Sequence, residues 1–425
     1  MYDYKDITAI QIEITEKCNA ACPSCSRTHY GYGELAGIYQ KHMSLDEFKV
    51  LLPEHMVSNL DMVVFCGNVG DAQTNPNLPA MVEYLYSSNN SVHMNINTNG
   101  GMRSTDYWAN FAKYKNLKIW FAVDGTTQEV HSYYRQNTNL SKVLENAKAY
   151  IDAGGNAVLQ FILFEHNQHQ LKDVEKLVKD YKFTELEIIN TDRADNTPVY
   201  NSKGEYRGQL RGATTSEYNN FLTAETENIK NNLQDPDVSI DQIDIKNYTN
   251  FLNITHEKYI NQDRSWEEEV EKFDWARSSL ANVANISNYK DVDINKVLRG
   301  ISNEKKNNRK IDCLAIRESK VFITADGFVY PCCMMGHNHT RIANAYTYDI
   351  QALLKEFGYK NDVNNALKYG GIEEVFKTGF FDTIANTWIP HTTENDFLRT
   401  FNKEYSDCGN LNMCAMACSN CDYNA

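Results

Sequence analysis

Between residues 8 and 192, short apolar segments alternate with longer segments in which apolar residues recur at helical spacing. The short segments predict strands, and the longer ones predict helices. The predicted strands are 9–14, 61–65, 92–97, 118–123, 157–163 and 186–190. The predicted helices are 44–52, 78–87, 106–113, 140–153 and 171–181. Strands that alternate with helices favour a parallel sheet or barrel, so the predicted fold class is α/β.

The chain changes character after residue 192. Residues 193 to about 310 are rich in Asn, Asp, Glu, Lys and Tyr and contain few sustained apolar runs. Helical patterning at 216–232 and 266–284, with a turn at 201–204, predicts a helical bridge or insertion over 196–308 that shapes substrate access. A solvated spacer explains this composition equally well. Further on, segments 321–324 and 328–330 predict a β-hairpin with its turn at Asp-Gly.

The eleven cysteines are clustered, and none lies between residues 66 and 313. Clustering favours ligands over core thiols, which would be scattered. Cys18, Cys22 and Cys25 directly follow the first predicted strand. Such short spacings let one loop give several thiolates to an iron–sulfur cluster, and three would leave one iron of a [4Fe–4S] cube open. The alternatives are a zinc site or buried thiols on one stripe of a helix, although Pro23 argues against an uninterrupted helix.

This spacing, Cys-x₃-Cys-x₂-Cys after the first strand, resembles the signature of radical S-adenosylmethionine (radical SAM) enzymes. The resemblance implies that residues 1–195 form a partial (β/α)₆ TIM-like barrel. It also implies that Cys18, Cys22 and Cys25 hold a [4Fe–4S] cluster whose fourth iron binds S-adenosylmethionine. One electron then cleaves this cofactor to methionine and a 5′-deoxyadenosyl radical, which abstracts hydrogen from a substrate. Ser24 departs from the family, which usually has an aromatic residue there.

Two segments at predicted strand ends resemble cofactor-binding motifs of the same family. Gly67, Gly70 and Asp71 stand where the family has a Gly-Gly-Glu type motif that binds the amino group of S-adenosylmethionine, with Asn68 in place of a glycine. Asn97 begins a segment that looks like the family's Thr-Asn-Gly turn. A plain glycine turn and a bland tight turn are the alternatives, because Gly and Asn both tolerate left-handed backbone.

After the fourth predicted strand, Asp124, His131 and Arg135 resemble the Ser-Leu-Asp-Gly…His…Arg pattern of peptide-modifying radical SAM enzymes. The resemblance implies that Arg135 faces the methionine carboxylate of the cofactor, a pairing that the guanidinium fork suits. Ala122 replaces the family's serine, and Asn167 lies where the family often has an Asn near the adenosyl group. The alternative is a solvated arginine on a helix face.

The cysteines of residues 309–425 resemble the SPASM domain, an auxiliary-cluster module that follows the barrel in radical SAM maturases. Its first half matches at Cys313, Gly327 and Cys332, which are separated by thirteen and four residues. Its second half matches in a Cys-rich run near the C-terminus, with gaps of five, three and two residues. The resemblance implies that Cys313, Cys332 and Cys418 hold an auxiliary cluster near the barrel.

A distal auxiliary cluster would belong to Cys408, Cys414 and Cys421. Tyr405 replaces a cysteine of the family, so Cys333 or Tyr405 completes this set, or one iron stays open, or only one auxiliary cluster forms. The rival interpretation is a tetrahedral Cys₄ zinc site made by the four cysteines after residue 400.

The bulk properties restrict the partners. Lys and Arg number 42 against 56 Asp and Glu, a net charge of −14, which argues against nucleic acid as the main partner. The first residues lack the layout of a signal peptide, and the apolar runs are too short for a membrane span. We therefore expect a cytoplasmic protein that does not bind membranes and receives electrons from a flavodoxin or ferredoxin.

The leading hypothesis is a radical SAM enzyme that modifies a peptide or protein, since SPASM maturases do so. A second hypothesis keeps the radical chemistry but acts on a small molecule such as a nucleotide or carbohydrate. A third is an iron–sulfur protein without catalysis, which the replacements at Ala122 and Asn68 favour. The complete three-cysteine motif and Arg135 favour an active enzyme.

Overall fold

The structure is a computed structural model that describes residues 3–35, 38–190, 196–213, 310–311, 319–336, 354, 357–386 and 419–420. The predicted helices at 216–232 and 266–284 lie outside these residues. So do Tyr405 and five of the predicted cluster ligands: Cys313, Cys408, Cys414, Cys418 and Cys421.

An eight-stranded sheet organises the fold. All six predicted strands are confirmed, and they pair in parallel in the order β1, β4, β5, β6, β7 and β8. The α/β partial barrel is thereby confirmed. The strands of the chain are β1 Ala9–Ile12, β2 Thr28–His29, β3 Tyr32–Glu34, β4 Met62–Phe65, β5 His93–Thr98, β6 Leu117–Ala122, β7 Asn156–Leu163, β8 Glu185–Asn190, β9 Thr197–Tyr200, β10 Tyr206–Leu210, β11 Lys310–Ile311, β12 Lys320–Ile323, β13 Val329–Tyr330 and β14 Ser419–Asn420.

Helices connect the parallel strands, and local sequence sets several of their ends. Ser44 caps α1 with a capping box completed by Glu47, and Asn139 caps α6. The helices are α1 Leu45–Leu51, α2 Glu54–Val57, α3 Leu78–Ser88, α4 Thr105–Ala109, α5 Gln128–Tyr134, α6 Leu140–Asp152, α7 Leu171–Tyr181, α8 Cys333–Gly336, α9 Ala366–Tyr369, α10 Ile372–Lys377 and α11 Phe380–Asn386. Short 3₁₀ helices occupy Tyr4–Asp6, Ala72–Thr74, Asn110–Lys113 and Gln168–Gln170.

The two faces of the sheet differ in polarity, because successive side chains of a strand point to opposite faces. One face is buried under the helices and forms the core; Ile10, Phe65 and Ile96 are all 0% exposed. On the opposite face, register brings together half-buried side chains such as Asn97 and Trp120. The open face of the partial barrel therefore combines polar and aromatic side chains, as ligand sites commonly do.

The predicted hairpin near residue 325 is confirmed, since β12 and β13 are antiparallel. Its position was not predicted. β12 pairs in parallel with β1, with Ala9 opposite Lys320, and it extends the barrel sheet beyond its first strand. This pairing brings residues 324–333 to the end of the sheet where the cysteines after β1 begin.

Residues 197–210 differ from the sequence-based expectation of few strands. They form the β9–β10 hairpin, with the predicted turn at 201–204 between its strands. The N–H of Tyr200 donates to the carbonyl of Tyr30, 3.0 Å away. Val199 and Leu210 pack in a small apolar cluster with Cys22, separate from the main core. Tertiary packing outweighs the weak local signal here.

Candidate functional site

Residues 13–27, called the cysteine loop below, connect β1 to β2 at the carboxyl end of the parallel strands. The segment contains turns and no helix, so its thiols do not form a helical stripe. The carbonyl of Cys22 accepts hydrogen bonds from the Cys25 N–H at 3.1 Å and the Thr28 hydroxyl at 2.9 Å. The Ala21 N–H donates to the carbonyl of Gln136, 3.1 Å away, which fastens the loop to the residues after α5.

Among the thiols of the cysteine loop, that of Cys22 is buried and those of Cys18 and Cys25 are partly buried. Burial, opposed by the charge of Arg135 and joined by the nearby Cys25, raises the pKa of Cys22 to about 12. Burial also raises the pKa of Cys18, and the nearby Cys22 and Cys25 contribute to this rise. A bound metal reverses this preference, because a coordinating thiol is deprotonated outright.

Hydrogen-bond donors surround these sulfurs. The Ala20 N–H lies 3.4 Å and the Asn99 amide 3.6 Å from Cys18 Sγ. Arg135 Nη1 lies 3.9 Å from Cys22 Sγ. Among the described residues, no three metal-ligating side chains surround a single point as one bound ion requires. A cubane cluster instead takes one thiolate at each of several irons, and the donor set of this loop fits that group.

Residues 67–71, called the glycine loop below, pass directly against the cysteine loop. The Asp71 N–H donates to the carbonyl of Lys17 at 2.8 Å. A Cβ atom on Gly70 would lie 1.9 Å from the carbonyl oxygen of Thr15, and one on Gly67 would lie 1.5 Å from the carbonyl oxygen of Gly70. Close backbone contact therefore favours glycine at both positions, within the turn itself at Gly67 and against the cysteine loop at Gly70.

The carboxylate of Asp71 is buried and fully engaged. One oxygen accepts from the Thr98 hydroxyl at 2.8 Å and from the Gln73 N–H at 3.2 Å, and the other accepts from the Asn99 N–H at 2.7 Å. Asp71 thus joins the glycine loop to the end of β5. Direct binding of the cofactor by Asp71 stays a prediction.

Asn97 lies on the half-buried polar face of β5, opposite Trp120 in register. Its contact with the cofactor stays a prediction. Asn99, two residues further on, reaches the cysteine loop, where its amide donates to Asn19 Oδ1 at 3.0 Å as well as approaching Cys18. Asn99 is the central residue of the predicted Thr-Asn-Gly turn. Its contact with the cysteine loop was not predicted, although its position directly after a strand, before Gly100, was the available signal.

Asp124 and Arg135 form a buried ion pair, with Arg135 Nε 2.5 Å from Asp124 Oδ2. The other Asp124 oxygen accepts the Ile162 N–H at 2.6 Å. Burial alone would lower the pKa of Arg135, but the charge of Asp124 outweighs it and raises that pKa, so the guanidinium stays charged. Asp124 therefore positions Arg135, which in turn approaches Cys22.

His131 contacts this ion pair through the backbone of Asp124. Its Nδ1 accepts the Asp124 N–H at 3.3 Å, and its Nε2 lies 2.9 Å from the Thr138 hydroxyl. Burial, helped by the charge of Arg135, lowers the pKa of His131 to about 3, so the ring is neutral. Asn167 is equally occupied by backbone groups, since its amide donates to the carbonyls of Ile162 and Asp124. His131 and Asn167 hold strand ends in place.

The three predicted cysteines, the glycine loop and Arg135 thus meet at one end of the sheet. Residues 12–178 match the family model described as the Radical SAM superfamily. Over these residues the chain is similar to the radical SAM superfamily. That superfamily implies S-adenosylmethionine and a [4Fe–4S] cluster as cofactors, and the match supports an enzyme. No curated protein sequence matches the chain.

Solved structures resemble this chain at low sequence identity. Streptococcus suis SuiB is 10% identical, with a TM-score of 0.48, over 77% of this chain and 61% of that one. Native anSMEcpe with bound AdoMet is 15% identical, with a TM-score of 0.47, over 96% and 94%. BtrN in complex with AdoMet and 2-DOIA is 16% identical, with a TM-score of 0.24, over 27% and 45%. The chain therefore spans 61% of the length of SuiB.

One residue that sequence analysis missed lies beneath the radical SAM site. Glu13 is 4% exposed, and its Oε1 accepts the N–H groups of Val69 at 2.6 Å and Gly70 at 2.9 Å. Burial raises the pKa of Glu13 to about 7, although both N–H groups oppose the rise. A charged residue directly after Ile12, between apolar residues at the end of the first strand, was the signal that could have identified it.

Besides the pairing of β12 with β1, the segment after residue 319 contacts the glycine loop at Cys333. The Asn68 side chain donates to the carbonyl of Cys333 at 3.0 Å. Cys66, at the end of β4, is buried, and Gln11 Nε2 donates to its sulfur at 3.0 Å. Cluster binding by Cys332 and Cys333 stays a prediction. No helix in the described part of the chain is both long and apolar enough to span a bilayer.

Proposed function

We propose that the protein is a radical SAM enzyme that abstracts hydrogen from a peptide or protein substrate. The observation that carries this proposal is the meeting of the buried cysteine loop, the glycine loop and Arg135 at one end of a parallel sheet. When bound, the cluster supplies the electron that cleaves S-adenosylmethionine and yields the 5′-deoxyadenosyl radical.

Each part of the site then has a task. Cys18, Cys22 and Cys25 hold the cluster in a pocket from which the apolar residues of the β9–β10 hairpin exclude water. Backbone carbonyls of the glycine loop accept the amino group of the cofactor, as its close contact with the cysteine loop supports. Arg135, kept charged by Asp124, attracts the cofactor carboxylate to the same end of the sheet.

The domain boundaries belong to the same proposal. Residues 1–195 form the radical SAM core, 196–308 the insertion and 309–425 a SPASM-like domain with one or two auxiliary clusters. The β9–β10 hairpin begins the insertion and packs on the core. The peptide or protein substrate is supported by the SPASM-like spacing of the C-terminal cysteines. We further propose a cytoplasmic enzyme reduced by a flavodoxin or ferredoxin.

Metal content after anaerobic reconstitution tests the site. We expect the Cys18/Cys22/Cys25→Ala variant to lose about four irons per chain relative to wild type, together with all 5′-deoxyadenosine formation under reducing conditions. Cys66→Ala, which removes a buried cysteine outside the loop, is the matched control and should keep both.

Equal iron in the triple variant and wild type would refute the assignment of the cysteine loop. Zinc in place of iron at the remaining cysteines would refute the auxiliary iron–sulfur clusters while leaving the core proposal standing. If the triple variant loses iron but the wild type forms no 5′-deoxyadenosine, the cluster assignment stands and the proposed enzymatic activity is refuted.

A further inference from the structure

Glu13 sits where the end of β1 faces the glycine loop. A single carboxylate oxygen accepts two successive N–H groups, those of Val69 and Gly70, and the side chain is 4% exposed. Two short hydrogen bonds from neighbouring peptides to one buried charge fix the rotation of both peptide planes. Hydrogen bonds to charged groups are about twice as strong as those between neutral groups.

The opposite edge of the glycine loop faces the cysteine loop. The carbonyl of Asn68 accepts the hydroxyl of Ser26 at 2.9 Å, and Ser26 directly follows Cys25. A peptide that turns its N–H toward Glu13 turns its carbonyl the other way, because the peptide unit is planar and trans. Glu13 thereby directs carbonyl oxygens, which are the acceptors that an ammonium group needs, toward the cysteines.

We propose that Glu13 is a positioning residue for S-adenosylmethionine, which holds the glycine loop with its carbonyl edge toward the cluster and so prepares the site for the amino group. This inference rests on the proposed function, because the glycine loop is assigned there to the cofactor. Glu13 also acts electrostatically, because its negative charge lies next to the glycine loop and attracts the positively charged amino group of the cofactor.

The surroundings of Glu13 make this role depend on pH. Two other acids, Glu16 and Asp326, face the carboxylate, and Cys66 is its thiol neighbour. Burial, joined by the charges of Glu16 and Asp326, raises the pKa of Glu13 to about 7. Below this pH the protonated carboxyl is a weaker acceptor and carries no charge. Cofactor affinity should therefore fall as pH drops from about 8 to 6 and be regained as it rises.

Amide exchange on the full chain gives a readout independent of activity. We expect Glu13→Ala to increase exchange at Val69 and Gly70, whose acceptor is lost. Glu13→Gln keeps a neutral acceptor and should exchange at an intermediate rate. Glu47→Ala is the control: its carboxylate accepts the Ser44 N–H at 2.8 Å, so exchange should rise near Ser44 only.

Calorimetric titration of the reconstituted protein with S-adenosylmethionine completes the test. Glu13→Ala should bind about tenfold or more weakly, and Glu13→Gln should lose the dependence on pH between 6 and 8. If wild type binds and both variants bind equally well at every pH, the positioning role is refuted and the proposed function survives. If wild type does not bind at all, the proposed function is refuted and the positioning role with it.

Discussion

At the scale of single residues, the site depends on one buried pair of opposite charges, Asp124 and Arg135. Asp124 is 0% exposed, and the Arg135 side chain is 15% exposed. Removing one partner of a buried pair leaves the other charge without compensation, which costs more than the pair itself contributes. Because Asp124 also holds Ile162, its loss affects two strand ends at once.

We therefore expect Asp124→Asn to reduce the free energy of unfolding by about 3–5 kcal/mol, measured by urea denaturation of the cluster-free protein. The control is Asp152→Asn, which breaks the exposed pair with Lys148 and should cost less than about 0.5 kcal/mol. Similar losses of unfolding free energy in both variants would show that the buried pair stabilises the protein no more than the exposed one.

Candidate site residues could be named from the sequence where a motif marks them. The three cysteines stood out by their spacing and Asp124 and Arg135 by the family resemblance, and the structure places Arg135 beside Cys22 and Asp124. The contacts of Glu13 and Asn99 could not be predicted, because they depend on which backbone groups and which sulfur the fold brings to these residues. Such contacts join residues far apart in sequence, so a position at a strand end marks each residue as a candidate without specifying its partner.

At the scale of elements, hydrophobic periodicity predicted the six parallel strands within a few residues of their observed ends. It did not predict the β9–β10 hairpin, whose strands are short and mostly polar. The hairpin is held by the burial of a few apolar side chains against the cysteine loop, a tertiary effect.

Leu210 tests the contribution of this hairpin. It is 0% exposed and packs with Val199, Phe164 and Cys22. Leu210→Ala should cost about 2–5 kcal/mol and loosen the cover of the cysteine loop. We expect faster alkylation of Cys22 in cluster-free protein, measured by mass spectrometry.

Tyr206→Ala, at a residue of the same hairpin that is 59% exposed, is the control and should leave the alkylation rate unchanged. Equal rates in wild type and the Leu210 variant would contradict a covering role for the hairpin.

At the scale of the whole molecule, the C-terminal segment is joined to the barrel rather than merely following it. β12 extends the barrel sheet, and Asn68 donates to the carbonyl of Cys333. The replacement of a family glycine by Asn68, which the sequence analysis noted only as a departure, thus has a structural reason. An auxiliary cluster at Cys332 or Cys333 would lie beside the glycine loop.

The proposed substrate class is tested on the complete protein. We expect 5′-deoxyadenosine formation to accelerate when a peptide encoded beside the enzyme is added, because substrate binding excludes water and commits the radical. A scrambled peptide of the same composition is the control. Acceleration by a nucleotide or carbohydrate, with no response to any such peptide, would replace the peptide proposal with the small-molecule one.

The pairing of β12 with β1 has a consequence for biosynthesis. The two strands are more than three hundred residues apart, so at about 5–20 residues per second β1 waits roughly 15–60 s for its neighbour to leave the ribosome. Throughout that interval the nascent barrel exposes a row of unpaired backbone groups next to apolar side chains, the feature that recruits other chains into aggregates. Chaperone supply and translation speed, more than the stability of the finished fold, should therefore set the yield of soluble protein.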